Sequence, residues 1–282
     1  MLVTLKNILR IAEARGCAVG SFNTPNMATL RAVLQAAEEL GEPVVVMHAQ
    51  IHEEMGLCKM EEIVPVMRLL ADRASVPVCV HLDHGTDLSY LRWGLDLGCT
   101  SVMYDGSALD PETNCANTCI AREISLRCGA SLEAEIGSMG ARESAVSGNT
   151  DESLFTDPAD AEAFVNRTGV DALACAFGTA HGLYVKQPKL DFERLAKIRS
   201  IVNVPLVMHG GSGVSTDDYR KVISLGIRKI NYYTYMAKAG GAAVQELSDQ
   251  MFFHDIEITA TEAMKQNAKS AMAVFGGRDP QP

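Results

Sequence analysis

The chain has 282 residues, and 25 Lys and Arg against 35 Asp and Glu leave a net charge of −10. With 47% apolar and 21% charged residues the composition is that of an ordinary globular protein, and one large α/β domain of this length buries a core without needing staples. The acidity, unrelieved by any basic stripe, argues against a nucleic-acid footprint, and no apolar stretch approaches the ~18 residues of a membrane span. At the N-terminus Lys6 and Arg10 are scattered through a helical pattern, so the segment does not read as a signal peptide and the expected compartment is the cytoplasm.

Short apolar runs alternate with longer amphipathic segments along the whole chain. The runs fall at 18–23, 43–49, 76–83, 100–106, 131–137, 171–178, 204–210 and 228–234. Consecutive Val, Leu, Ile and Ala within them fit parallel strands buried on both faces. Between them, MATLRAVLQAAEELG closes on Gly41 and TDLSYLRWGLDLG on Gly98. A third segment opens with Asp157-Pro158 and closes on Gly169, and a fourth opens with Ser215 as N-cap and ends at Gly226. Strand-then-helix repeated eight times predicts a (β/α)8 TIM barrel, an α/β fold, as one domain over residues 1–282. The competing arrangement is a doubly wound open sheet, but no GxGxxG follows the first strand. Residues 138–156 form one long polar interruption that reads as a lid loop, and residues 235–276 read as one or two extra C-terminal helices.

Eight cysteines lie at 17, 58, 79, 99, 115, 119, 128 and 175, with no CxxC pair. Cys79 and Cys175 fall inside strand runs as small hydrophobes. Cys115 and Cys119 share a helix face, but two thiols alone do not make a metal site, and a disulfide scaffold is not expected in a reducing compartment.

The active site of such a barrel lies at the C-terminal ends of the strands. There the third run ends in HLDHG (His81, Asp83, His84), and the fifth carries Glu133 and Glu135. The sixth leads into AHG (His181), the seventh ends in HGGSG (His209), and the eighth carries Asn231 and Thr234. Of seven histidines, His84, His181 and His209 each fall just past a different strand and precede Gly. Three imidazoles from separate strands suit one divalent metal with an open coordination position, zinc first. His48, His52 and His254 read as structural or surface residues, and His81 as lying behind the ligands. Gly210, Gly211, Gly213 and Ser212 make an anion-binding turn where barrels hold phosphate, with the next helix aimed at it. For Asp83 and His84 to share the site, the strand has to end between them, because neighbours on a strand point to opposite faces. Glu143, in the lid, is a candidate general base.

The motifs HLDHG, EAEIGSMG, GTAHGLY, KLDFERL and PLVMHGGSG, in this order over residues 18–234, resemble the class II, metal-dependent ketose-bisphosphate aldolases. That resemblance implies cleavage of a fructose- or tagatose-type bisphosphate, with His84, His181 and His209 on Zn2+ and Glu135 beside it as an alternate ligand. It makes Asp83 the acid/base at the C4 oxygen and Glu143 the carboxylate that moves the C3 proton of dihydroxyacetone phosphate. Gly182, Gly211, Ser212, Asn231 and Thr234 would hold that triose phosphate, with Gly210 in the same turn and Asn23 near the substrate. It further implies a homodimer or homotetramer, a phosphorylated sugar as the small-molecule partner, and a monovalent cation (Na+ or K+) near the phosphate.

The chemistry of the residues agrees, because the metal-free route needs a Schiff-base lysine and no lysine stands at a strand's C-terminal end; Lys229 is at the start of the eighth. Departures from the family pattern fall on the periphery: Ala49 for a serine, NYYTY (231–235) with Tyr235 in place of an acid, and GARES in the lid. They predict a retained aldol mechanism on an altered ketose phosphate. A metal-dependent hydrolase would carry an H-x-H pair on the first strand, which is absent here, and a non-catalytic sugar-phosphate binder is the other alternative.

Overall fold

In the computed structural model of the chain, residues 1–137, 154–184, 186–247 and 251–279 are described. All eight expected strands form: β1 (Val19–Asn23), β2 (Val44–Ala49), β3 (Val78–Gly85), β4 (Ser101–Tyr104), β5 (Ser131–Ile136), β6 (Ala172–Cys175), β7 (Leu206–Met208) and β8 (Ile227–Tyr232). Each pairs in parallel with the next, and β1 pairs with β8, closing the barrel. The helices are α1 (Leu5–Arg15), α2 (Met27–Leu40), α3 (Gln50–Glu54), α4 (Met60–Arg73), α5 (Leu88–Leu97), α6 (Pro111–Arg127), α7 (Pro158–Thr168), α8 (Phe192–Ile201), α9 (Thr216–Ser224), α10 (Thr234–Gln245) and α11 (Phe253–Phe275). The structure is a (β/α)8 TIM barrel with the C-terminal pair α10 and α11 added, α11 packing on α2 and α10.

Local chemistry sets the boundaries. Asp157 caps α7 through the N–H groups of Ala159 and Asp160, with Pro158 at the first helical position. Ser215 caps α9, and Gly41, Gly98 and Gly169 end their helices in the left-handed conformation. The outward side chains of the strands, among them Val44, Val46, Val78, Val80, Leu132 and Leu173, join the helices in the larger core.

The inward side chains divide by depth. At the N-terminal end Val19, Val45, Cys79 and Ala172 meet Leu5, Ile8, Leu9 and Ala12 of α1, which plugs the barrel. The larger of these, Leu5, Ile8, Leu9, Val19 and Val45, each contribute about 1.5–3 kcal/mol by leaving water. Above them the inward positions turn polar: His81, Ser101, Glu133 and Lys229 are all fully buried. An apolar floor thus carries a layer of buried charge, and the strand ends stand on that layer.

Candidate active site and metal centre

Asp83 and His84 share the site by a route the sequence does not announce. The strand does not end between them, since β3 runs on to Gly85. Its register against β4 shifts between Leu82 and Gly85, and His84 is the one non-glycine residue with positive φ (50°) among the described residues. This left-handed bulge adds a residue to the strand and turns two successive side chains to the same side. Such strain in a non-glycine residue is characteristic of functional sites.

His84, His181 and His209 converge, each offering a ring nitrogen within 4.8 Å of the others. His84 Nε2 lies 2.9 Å from His209 Nδ1. The outward nitrogens of these two rings are held by carboxylates: His84 Nδ1 is 2.7 Å from Asp105 Oδ2 and His209 Nε2 is 2.8 Å from Glu133 Oε1. A carboxylate behind each imidazole fixes which nitrogen keeps its lone pair, the arrangement metal-ligating histidines use. Glu135 is almost wholly buried, its Oε2 has no hydrogen-bond partner and stands 3.6 Å from His209 Nδ1. With His84 and Asp105 it forms a second group of matching geometry. An orphaned buried carboxylate oxygen facing imidazole nitrogens is what a divalent cation would satisfy, so these donors fit zinc.

Electrostatics in the site follow from burial and neighbours. Burial drives the Glu135 carboxyl up to about 8, with the Asp105 charge adding to the effect. Burial opposes charge on His84 too, but Asp83 and the Asp105 hydrogen bond outweigh it and raise that imidazole to about 9. Asp83 is held far below the usual carboxylate range: burial opposes this, and the cationic side chains around it, His84 first, prevail. Its two oxygens accept hydrogen bonds from Asn23 Nδ2 (3.2 Å) and Asn231 Nδ2 (3.1 Å). Two amide donors thus present an ionised, oriented carboxylate at the edge of the triad.

Above these groups opens a cavity of about 320 Å³, lined by Asn23, Asp83, His84, His181, Gly182, Gly210, Ser212, Asn231 and Thr234 together with Ala49, Ile51, His52, Met55, Tyr232 and Tyr233. Gly211 is not in this lining. Its N–H is donated to the Asn231 carbonyl at 3.0 Å, and its lack of a side chain is what lets β8 approach, since a Cβ would stand 2.5 Å from Ile230 Cγ2. Of the helix ends at this face, α9 has its N-cap filled by Ser215 and two acids in its first turn. The end of α10 carries no side-chain cap and no acid in its first turn, and it begins at Thr234 in the cavity wall. Its orphan N–H groups therefore point positive charge at the cavity. Tyr235 packs against Gly213.

Matches to known proteins place this geometry. A family model described as fructose-bisphosphate aldolase class-II matches residues 3–279. The chain belongs to this family. The class II aldolase chain is also similar to the YdjI aldolase from Escherichia coli K12, with 36% identity, TM-score 0.87 and 98% of each chain covered. A structure assigned as a fructose-1,6-biphosphate aldolase from Coccidioides immitis matches at 26% identity and TM-score 0.86, over 96% of this chain and 95% of that one. The fructose-bisphosphate aldolase of Campylobacter jejuni, at 21% identity, TM-score 0.81 and 99% and 97% coverage, shares the fold. The protein is thus an aldolase, a carbon–carbon lyase of a family that acts on phosphorylated sugars and is generally zinc-dependent.

Of the expected site residues, Asn23, Asp83, His84, His181, Gly182, Gly210, Ser212, Asn231 and Thr234 line one cavity, with His209 and Glu135 packed beneath. Glu143 lies outside the described residues. His254 is exposed, but His48 and His52 are buried, and His52 faces the cavity instead of serving only the core. Sequence reasoning missed Asp105, whose signal was an acid one residue past β4, and the partnership of Glu133 with Lys229, whose signal was two opposite charges at inward positions of β5 and β8.

Proposed function

We propose that this aldolase runs a metal-dependent retro-aldol cleavage of a ketose phosphate, and the reverse condensation, giving dihydroxyacetone phosphate and an aldehyde such as glyceraldehyde 3-phosphate. The observation that carries the reading is the meeting of three imidazoles beside a doubly hydrogen-bonded Asp83 at the floor of one cavity. His84, His181 and His209 would hold the ion, with Glu135 as an alternate ligand. Zinc bound there supplies the Lewis acidity that draws electron density from the C2 carbonyl.

The protein's own groups do the rest. Asp83, kept ionised by its neighbours, takes the proton of the C4 hydroxyl. As the C3–C4 bond breaks, its electron pair passes toward C2, and the aldehyde half departs. Glu143 is assigned the return of a proton to C3. Gly182, Gly210, Ser212 and Thr234, with Gly211 shaping the turn and the positive end of α10 behind them, cradle the C1 phosphate. Asn23 and Asn231 orient Asp83 alongside the substrate.

Ala49 and Tyr233, which belong to the departures from the family pattern and line this cavity, support an altered ketose phosphate. By the same resemblance the enzyme is a cytoplasmic homodimer or homotetramer with Na+ or K+ near the phosphate. No helix among the described residues is long and apolar enough to cross a membrane.

Zinc analysis combined with a panel of ketose mono- and bisphosphates, with and without chelator, tests the proposal. Chelator-sensitive cleavage of at least one member is expected. A zinc-loaded protein that cleaves none would refute the reaction, and turnover of fructose or tagatose 1,6-bisphosphate at an ordinary enzymatic rate would refute the altered specificity.

A further inference from the structure

Lys229 lies in the charged layer under the site, fully buried and outside the cavity lining. Its Nζ donates to Glu133 Oε1 at 3.1 Å and to Asn231 Oδ1 at 2.8 Å, and stands 3.0 Å from Glu133 Oε2. An ammonium committed to a carboxylate and an amide oxygen, and outside the cavity lining, is not placed to attack a carbonyl. Both of its partners reach upward. Glu133 Oε1 engages His209 Nε2, whose Nδ1 belongs to the triad. Asn231 Nδ2 donates to Asp83 Oδ1.

The chemistry of those two branches makes the ammonium directive. An amide can present either its oxygen or its nitrogen, but an ammonium only donates. With Asn231 Oδ1 drawn to Lys229, its Nδ2 has to face Asp83. The flipped amide would set oxygen against the Asp83 carboxylate and N–H against the ammonium. Glu133 is likewise kept an acceptor: its charge, buried at zero exposure, is compensated by Lys229, so His209 donates from Nε2 and keeps the Nδ1 lone pair for an ion. We propose that Lys229 is a positioning residue that sets, through one buried charge, both the tautomer of a metal-ligand histidine and the orientation of the acid/base carboxylate. The catalytic part of this proposal rests on the reaction proposed above; the metal part does not.

The test compares Lys229→Met, which keeps most of the stem and removes the charge, with the double variant Lys229→Met/Glu133→Gln, which removes the buried pair together. Zinc affinity is read by competition with a chromophoric chelator, and kcat and KM on whichever ketose phosphate the wild type cleaves. Both variants are expected to bind zinc about 10-fold more weakly, with kcat down about 10- to 100-fold and KM changed less than about 3-fold, because misorientation of Asp83 acts on the bond-breaking step. A role limited to neutralising Glu133 predicts instead that the double variant behaves like Glu133→Gln alone, which already lacks the carboxylate behind His209. That equality, or wild-type zinc affinity and kcat in Lys229→Met, overturns the proposal. If Lys229→Met fails to fold, the double variant carries the comparison. If the wild type cleaves no ketose phosphate, the proposed reaction fails while the zinc titration still decides the role of Lys229.

Discussion

Gly210 offers a quantitative test of how the proposed metal ligands are held. It adopts φ +61°, and a Cβ there would stand 2.4 Å from the Ala180 carbonyl oxygen, 2.7 Å from its carbon and 3.1 Å from its nitrogen. All three are backbone atoms, and they cannot swing aside. The Tyr184 hydroxyl accepts from the Ala180 N–H at 2.8 Å and lies 2.9 and 2.8 Å from the carbonyls of Ala180 and Gly210, tying the two loops together. Gly210→Ala therefore has to push them apart by roughly 1 Å to restore ordinary contact. Two costs add: about 1–2 kcal/mol for the left-handed conformation and about 1–3 kcal/mol for overpacking. Gly169→Ala is the control, with φ +62° and nothing within 4 Å of its Cβ, so it bears the first cost alone. At roughly 2–4 °C per kcal/mol for a chain of this size, Gly210→Ala is expected to lower Tm by roughly 5–15 °C and the control by less than half of that. His181 follows Ala180 and His209 precedes Gly210, so the same displacement spreads two ligands and weakens zinc binding about 10-fold or more, while Gly169→Ala leaves it unchanged. Scanning calorimetry of the zinc-free proteins and zinc competition titrations read both effects. Equal Tm values and equal zinc affinities for the two variants would refute the reasoning.

Asp83→Ala should lower kcat by about 10²–10⁴-fold while zinc analysis still finds bound metal; loss of the metal as well would contradict the division of labour between Asp83 and its neighbour His84. Chelator should abolish turnover and Zn2+ restore it, and turnover that survives complete metal removal would end the Lewis-acid reading. His81 yields a pH prediction: burial first, and the Lys229 charge second, depress its imidazole to about 3, below the ~6.5 of an unfolded chain. The unfolded state therefore takes up the proton first, so this contribution is complete above about pH 6.5 and erodes as pH falls toward 3, by about 2–3 kcal/mol on reaching pH 4.5. Urea midpoints of the zinc-free protein at pH 7 and 4.5 check it, with His81→Gln expected to lose less on acidification than the wild type; an equal loss would exclude His81 as the source.

The barrel was legible because its strands are buried on both faces, so runs such as VVVM at 44–47 and VCV at 78–80 carry no polar alternation to obscure them, and Gly41, Gly98 and Gly169 punctuate the helices between. The triad was legible for a related reason, since a histidine at or beyond the C-terminal end of a strand and before a glycine has few structural uses, although His84 itself lies inside β3. What escaped the sequence depends on departures from simple periodicity. Strand parity sends Asp83 and His84 to opposite faces, and only the φ of +50° at His84 brings them together, a choice of backbone well that no residue type in HLDHG dictates. The short helix α3, five residues with no side-chain cap, is too brief for a 3.6-residue period to register, so His52 read as structural or surface although it lines the cavity. Lys229 is the sharpest case. Parity along β8 does place it inward with Asn231, yet a lone lysine pointing into a barrel is energetically forbidding until its counter-charge is known, and Glu133 lies 96 residues earlier in the chain. Pairing charges across a closed barrel requires the register of every strand between them. The order in which the site became visible is thus the order of contact range: the converging histidines from local motifs, the groups that hold them only from the assembled fold.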